Sequence, residues 1–159
     1  MRTTPRILLS RRTILQGGVA LSAMLLGKAS ATAPARLPAM TIYRDPGCGC
    51  CGNWAEMARR TGFPVTMMDS PDMPGLKRRL GVPQQLSACH TAVVGGYVIE
   101  GHVPFDRVLG LVSRRPRGIR GLAVPGMPVG SPGMEVPSGA RESFQVFAFN
   151  AAGRVVALP

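Results

Sequence analysis

The chain has 159 residues, a length that suits one compact domain. Its formal net charge of +11, from 19 Lys and Arg against 8 Asp and Glu, raises nucleic-acid binding as a function. However, five of the basic residues lie within the first 31 positions, and aromatic residues make up only 5%, so bases would find few side chains to stack on. We therefore predict no nucleic-acid partner. No apolar run beyond the N-terminal one is long enough for a membrane span, which excludes a protein with several spans.

The N-terminus carries the pattern of an export signal. Arg11 and Arg12 precede a moderately apolar segment at 17–27 that is rich in Gly and Ala. Small residues at 29–33 fit a cleavage pattern. These features predict a twin-arginine-type signal peptide, read by the Tat translocon. An uncleaved anchor is the alternative, but an apolar core of about 14 residues is short for a membrane span.

The domain boundaries follow from this signal. We assign residues 1–31 to the signal peptide, 32–40 to a linker and 41–159 to a single domain. The mature protein is then expected in the periplasm, without stable membrane association, where its thiols face oxidation.

Seven elements are predicted in the first part of the domain. The hairpin turn at Gly95-Gly96 is the clearest local signal. Before it, apolar residues at helical spacing follow Asn53, which can cap a helix. The predicted elements are a strand at 40–43, a helix at 54–60, a strand at 63–68, a helix at 75–80, strands at 90–94 and 97–100, and a helix at 105–112.

This order, β-α-β-α-β-β-α, predicts an α/β (α+β) fold with a thioredoxin/glutaredoxin-like core. The first two strands would pair in parallel and the last two would form an antiparallel hairpin. A Gly/Pro-rich loop follows over 121–139 and contains two methionines. Alternating polar and apolar residues at 142–149 and a second run at 154–158 predict a C-terminal β-hairpin.

Three cysteines stand close together in a strand-to-helix turn: Cys48, Cys50 and Cys51. The N-terminal end of a helix favours a thiolate over a thiol. Several thiolates in a few residues form a set of soft donors, which suits Cu(I) and, after it, Zn(II).

Cys89 and His90 lie just before and at the start of the third predicted strand. In a thioredoxin-like fold this loop faces the cysteine turn, and a cis-proline normally stands close to His90. We therefore expect Cys89, and with it His90, to approach Cys48–Cys51. His102 follows the next strand, and the sequence leaves open whether it lies at the same end.

Met127 and Met134 are flanked by Pro and Gly, so they are not ordinary helix-core methionines. A thioether on a rigid loop can hold Cu(I) in an oxidising compartment. Packing of the loop against the core is the alternative. Met67 and Met68, in a predicted strand, are expected to be core residues on alternate faces.

Two other interpretations of the cysteines remain open. Two structural disulfides are one of them, with Cys48–Cys51 or Cys50–Cys89 as candidate pairs, although neighbouring cysteines close few long loops. The other is a thiol-disulfide oxidoreductase, with Cys48 as the attacking and Cys51 as the resolving thiol. The missing proline and the extra cysteine in the motif speak against that enzyme.

Four segments of the chain together resemble the DUF411 family, and they stand in the family's order. They are Asp45–Gly52, Ser87–Ala92, Glu100–Pro104 and Gly121–Glu135. The resemblance extends from about Thr41 to Leu158 and implies a small periplasmic metal-binding protein associated with copper resistance. The resemblance does not imply any particular chemical reaction.

We therefore predict a periplasmic Cu(I)-binding protein that buffers or delivers copper, and we favour this metal-binding role over an enzymatic one. Its partners would be the metal ion and another periplasmic copper protein, which the basic run Arg114–Arg120 could steer if that partner is acidic. The predicted primary ligands are Cys48, Cys51 and Cys89, followed by Cys50 and His90, with His102, Met127 and Met134 closing the site or receiving the ion.

Overall fold

The computed structural model describes residues 36–159, so the predicted signal peptide and the first part of the linker lie outside the described residues. This part of the chain contains seven strands, three α-helices and one 3-10 turn. The elements in chain order are β1 (Met40–Arg44), α1 (Gly49–Arg60), β2 (Val65–Asp69), α2 (Met73–Leu80), the 3-10 turn Gln84–Leu86, β3 (His90–Val94), β4 (Tyr97–Glu100), α3 (Phe105–Arg114), β5 (Gly121–Ala123), β6 (Phe147–Phe149) and β7 (Val155–Ala157). No helix from residue 36 onward combines the length and apolar character that a membrane crossing requires.

All seven strands form one sheet in the order β2-β1-β3-β4-β5-β6-β7. β1 pairs with β2 in parallel and β4 pairs with β5 in parallel, while the remaining neighbours are antiparallel. The predicted mixed α+β class is confirmed. The β3–β4 hairpin has the predicted bounds, with both turn glycines, Gly95 and Gly96, at positive φ where residues with a side chain are strained.

Two helices begin earlier than predicted. α1 starts at Gly49 and not after Asn53, so Cys50 and Cys51 lie in its first turn. Its N-cap is Cys48, whose side chain makes no capping hydrogen bond, and this explains why the start is invisible in the sequence. α2 begins at Met73, because Asp72 accepts a hydrogen bond from the Gly75 nitrogen at 2.8 Å.

The segment from Gly121 onward does not start as a loop. Its first three residues form β5, which enters the sheet between β4 and β6. Gly121 permits this close pairing, since a Cβ there would lie 2.6 Å from the Phe149 ring and closer still to the Val98 carbonyl. The predicted C-terminal hairpin is present as β6 and β7, with strands shorter than predicted.

The core has a larger and a smaller cluster. The larger cluster joins α1 and α3 to the sheet through residues such as Trp54, Val108 and Ile99. The smaller one includes Leu86 and the residues Val98 and Phe149. Met67 packs on the larger cluster, but Met68 is 47% exposed, so the prediction of a core position is wrong for Met68.

Four connections meet at one edge of the sheet. In the strand register Arg44 stands beside His90, Thr91 beside Glu100, and Glu100 beside Ala123. The carboxyl ends of β1, β4 and β5 and the amino end of β3 therefore lie together. The predicted metal-binding residues all come from the chain segments that leave or enter the sheet at this edge.

Candidate metal centre

The cysteine turn lies between β1 and α1. The Cys48 nitrogen donates to the Asp45 carbonyl at 3.0 Å, which closes the turn before the helix. Cys48 and Cys51 form a disulfide with a Cα–Cα distance of 5.5 Å. Cys51 is fully buried, and Cys50 stays free with its sulfur 3.6 Å from that of Cys48.

Cys89 approaches this turn from the sheet edge. Its sulfur lies 3.9 Å from the Cys50 sulfur, although the two residues are 39 positions apart. Both thiols are free. Of the two disulfides that the sequence left open, Cys48–Cys51 is present and Cys50–Cys89 is not, so a purely disulfide-stapled domain does not describe this structure.

His102 lies at the same end as the cysteines. Its Nε2 is 3.1 Å from the Cys89 sulfur, and its Nδ1 is 2.7 Å from the Pro132 carbonyl oxygen. Because a carbonyl oxygen can only accept, Nδ1 carries the hydrogen. In the neutral ring Nε2 then has a free electron pair, and this pair is directed at the Cys89 sulfur. A hydrogen bond from the other ring nitrogen to a protein carbonyl is a common way to orient a histidine that binds a metal.

His90 is the third group beside Cys89. It is fully buried, with Nδ1 3.4 Å from the Cys89 sulfur. Its ring lies 4.8 Å from the Trp54 ring and 5.0 Å from the His102 ring, centroid to centroid. The His90 Nε2 is buried without a hydrogen-bond partner, an arrangement that is costly unless something else occupies that electron pair or hydrogen.

Burial dominates the electrostatics of these three groups. It raises the pKa of the Cys89 thiol to about 12, with the neighbouring Cys50 adding to the rise and Lys77 opposing it. Burial also lowers the pKa of His90 well below its ordinary value, helped by His102 and Lys77. The pKa of His102 is lowered by burial against the opposing effects of the Pro132 carbonyl and Glu135. These shifts favour the neutral form of both histidines at neutral pH, and that is the form that binds metals.

The donors form two overlapping groups. One consists of the sulfurs of Cys48, Cys50, Cys51 and Cys89, and the other of the Cys89 sulfur with one ring nitrogen each from His90 and His102. Within each group the donor atoms lie within 4.8 Å of one another. Cys89 belongs to both. Sulfur and imidazole donors in this number suit a soft or borderline metal ion. Cys48 and Cys51 become thiolate donors only after two-electron reduction of their disulfide.

The two loop methionines follow residues that touch the site. Gly126 forms a bridge with Ala88, next to Cys89, and Met127 comes directly after it with 52% of its surface exposed. Gly133 packs on the backbone of Trp54. The side-chain amide of Asn53 donates a hydrogen bond to the Gly133 carbonyl oxygen at 3.4 Å. Met134 follows Gly133. The loop backbone is thus anchored beside the site, and ligation by the methionines stays a prediction.

Three parts of the site were not predicted as such. Trp54, predicted only as a core residue, forms a wall against His90 and donates from Nε1 to the Val103 carbonyl at 3.1 Å. Pro132 orients His102 through its carbonyl, which carries no sequence signature beyond the Pro-Gly turn. A buried pair, Lys77 and Glu100, lies beneath the Cys89 loop. A glutamate in an otherwise apolar strand is the one available signal for it.

Known proteins resemble the chain at this site and across the fold. The family model "Protein of unknown function, DUF411" matches residues 86–134. Two solved structures, described as copper resistance protein CopG, form 1 and form 2, are each 41% identical to the chain with a TM-score of 0.71. They cover 76% of this chain, which in turn covers 94% and 95% of theirs. No curated protein matches the chain. Identity of this degree over almost the full length of the solved proteins, together with the family match at Cys89, His102 and the methionine loop, shows that the chain belongs to the DUF411 copper-resistance family.

Proposed function

We propose that the chain is a periplasmic Cu(I)-binding protein that buffers or delivers copper as part of copper resistance. One observation carries the proposal. The Cys89 sulfur is surrounded by the His102 Nε2 at 3.1 Å, the His90 Nδ1 at 3.4 Å and the Cys50 sulfur at 3.9 Å. Buried neutral histidines beside free thiols make a donor set for a soft cation, and the related solved structures are described as copper resistance proteins.

The oxidation state of the cysteine turn sets how many donors are available. With the Cys48–Cys51 disulfide in place, the donors are Cys50, Cys89, His90 and His102. Reduction adds two thiolates and completes the predicted primary set of Cys48, Cys51 and Cys89. Cu(I) prefers two or three soft ligands, and Zn(II) is the next ion that such a set accommodates.

The fold and the N-terminal residues support the rest of the proposal. The strand order β2-β1-β3-β4, with β1 parallel to β2 and a β3–β4 hairpin, is the arrangement expected of a thioredoxin-like core. The Arg11-Arg12 pair and the apolar segment after it support export by Tat to the periplasm. Docking of an acidic copper protein is supported by Arg114, Arg115 and Arg117, which are exposed.

Copper titration of the reduced protein tests the function. We expect the protein without residues 1–31 to bind about one Cu(I) per chain in competition with a chromophoric Cu(I) chelator, and to prefer Cu(I) over Zn(II). The double variant Cys48→Ser/Cys51→Ser removes two donors of the reduced protein and should bind Cu(I) more weakly, whereas the exposed Met68→Leu should bind it unchanged. Unchanged Cu(I) affinity in the double variant would sink the assignment of Cys48 and Cys51 as ligands.

A thiol-disulfide oxidoreductase is the second candidate, and the disulfide at the start of α1 favours it. In that reaction the Cys48 thiolate attacks a substrate disulfide, and Cys51 then displaces the substrate thiol and restores the Cys48–Cys51 bond. Insulin reduction and trapping of a mixed disulfide by Cys51→Ser separate the two functions. Cys50 and Cys89 beside the pair fit ligands better than an open substrate groove.

A further inference from the structure

A buried ion pair lies directly beneath the loop that carries Cys89. Glu100, the last residue of β4, is fully buried, and the side chain of Lys77 on α2 is 9% exposed. The Lys77 Nζ donates to Glu100 Oε1 and, at 3.0 Å, to the Thr91 hydroxyl. Thr91 in turn donates to Glu100 Oε2 at 2.6 Å. Both carboxylate oxygens are thereby satisfied.

Such a pair is an expensive way to join a helix to a sheet. Removing two charges from water costs free energy, and the attraction between the charges often does not offset this cost. Apolar residues of the same size commonly stabilise such a contact at least as well. The other ion pairs among residues 36–159 all involve at least one largely exposed partner, such as Arg79 of α2 with Asp72, the N-cap residue of that helix. The geometry of the pair is therefore a better guide to its role than its contribution to stability.

Glu100 Oε1 has a further partner: it accepts a hydrogen bond from the backbone nitrogen of Ala88 at 2.7 Å. On the other side of Cys89, the Gly101 nitrogen donates to the His90 carbonyl at 3.0 Å. The residue between these two bonds is Cys89. Gly101 allows the close approach, since a Cβ there would lie 2.6 Å from that of Ala88. The backbone of Cys89 is thus held from both sides.

We infer that Glu100, held in place by Lys77, is a positioning residue that sets the place of the Cys89 sulfur between Cys50 and His102. The inference rests on the proposed function, because it concerns the same metal site. Lys77 and Thr91 hold the carboxylate in place, and the carboxylate in turn fixes the Ala88 amide. Groups that orient metal ligands in this way typically change metal affinity 10- to 100-fold when they are lost.

Two double variants isolate the hydrogen bond from the charge. Lys77→Met/Glu100→Gln and Lys77→Met/Glu100→Leu both remove the ion pair and differ little in volume. Only the glutamine keeps an oxygen that can accept from Ala88. We expect the glutamine variant to bind Cu(I) within about threefold of the unmodified protein and the leucine variant to bind at least about tenfold more weakly. Copper-edge X-ray absorption should show fewer sulfur neighbours in the leucine variant. Arg79→Met on the same helix should change neither property.

Equal Cu(I) affinity in the two double variants, at matched melting temperatures, overturns the inference. Should either variant fail to fold, amide hydrogen exchange of the unmodified protein decides: a protected Ala88 amide supports the inference, and an unprotected one overturns it. If the unmodified protein binds no Cu(I), the proposed function fails separately. In that case the alkylation rate of the Cys89 thiol reports whether its position has changed. Equal alkylation rates in both double variants contradict the inference.

Discussion

His102 donates from Nδ1 to the carbonyl oxygen of Pro132 at 2.7 Å, and this bond presents its Nε2 to Cys89. The Gly/Pro-rich loop therefore acts on the site through its backbone. Gly133, the next residue, is pressed against α1, since a Cβ at this position would lie 2.8 Å from the Trp54 nitrogen. The orientation of the histidine depends on how closely the loop can approach the helix.

Gly133→Ala should push the loop away from α1 and displace the Pro132 carbonyl. We expect about a tenfold loss of Cu(I) affinity, because the histidine loses the bond that orients it. Gly139→Ala is the matched control, since Gly139 lies in the same loop at φ +70 and a Cβ there meets nothing within 4 Å. Chelator competition measures both, and an equal effect of the two substitutions would contradict the prediction.

Copper binding should release a proton from Cys89. Burial raises the pKa of this thiol to about 12, so it is protonated at neutral pH and must ionise to become a ligand. For each proton displaced, the apparent Cu(I) affinity should rise about tenfold per pH unit. We expect Cys89→Ser to reduce the slope of log affinity against pH by about one. An unchanged slope in this variant would show that Cys89 binds no copper.

The metal-free protein should lose stability in mildly acidic solution. Burial lowers the pKa of both His90 and His102, so at mildly acidic pH the unfolded state binds protons at these residues that the folded state does not bind. Above about pH 6.5 both states are unprotonated at these histidines and the effect is absent. Below that value the free energy of unfolding falls as the pH approaches the folded-state pKa. These are the chain's two histidines.

Urea unfolding across this pH range measures the effect. The midpoint should fall as the pH is lowered, and His90→Gln should remove part of that fall. A His90→Gln variant with the full pH dependence would show that this histidine does not titrate differently in the two states.

A loop methionine should contribute to copper binding where a surface methionine does not. Met127 and Met68 are similarly exposed, at 52% and 47%, but only Met127 stands beside the segment that bridges to Ala88. We expect Met127→Leu to speed the release of Cu(I) to a competing chelator by several-fold, since a thioether donor is lost. Met68→Leu should leave the release rate unchanged. Identical stopped-flow rates in both variants would remove Met127 from the donor set.

The sequence was sufficient to predict the elements with strong local signals. The β3–β4 hairpin, with its two glycines, and the meeting of Cys89 with the cysteine turn both agree with the structure. β5 was missed because three residues in a Gly/Pro-rich segment carry no periodicity, and its pairing depends on strands far away in the chain. The early start of α1 was missed because Cys48 is an N-cap without a side-chain hydrogen bond.

The candidate site also has a part that the sequence predicts and a part that it does not. The thiols and histidines are evident from residue type alone, whereas the contacts that orient them are not. Glu100 reaches Ala88 across 12 residues and Lys77 across 23, and Pro132 reaches His102 across 30. These contacts depend on the tertiary structure, so a single sequence contains little information about them.

The four connections at the edge of the sheet are distant in sequence and close in space. An ion held by Cys50, Cys89 and His102 would join three of them, much as a cross-link joins separate loops. The sheet could then not come apart at this edge until the ion had left. The metal-bound protein would then unfold only as fast as the ion dissociates. Its lifetime in a denaturant would therefore measure the dissociation rate of the metal.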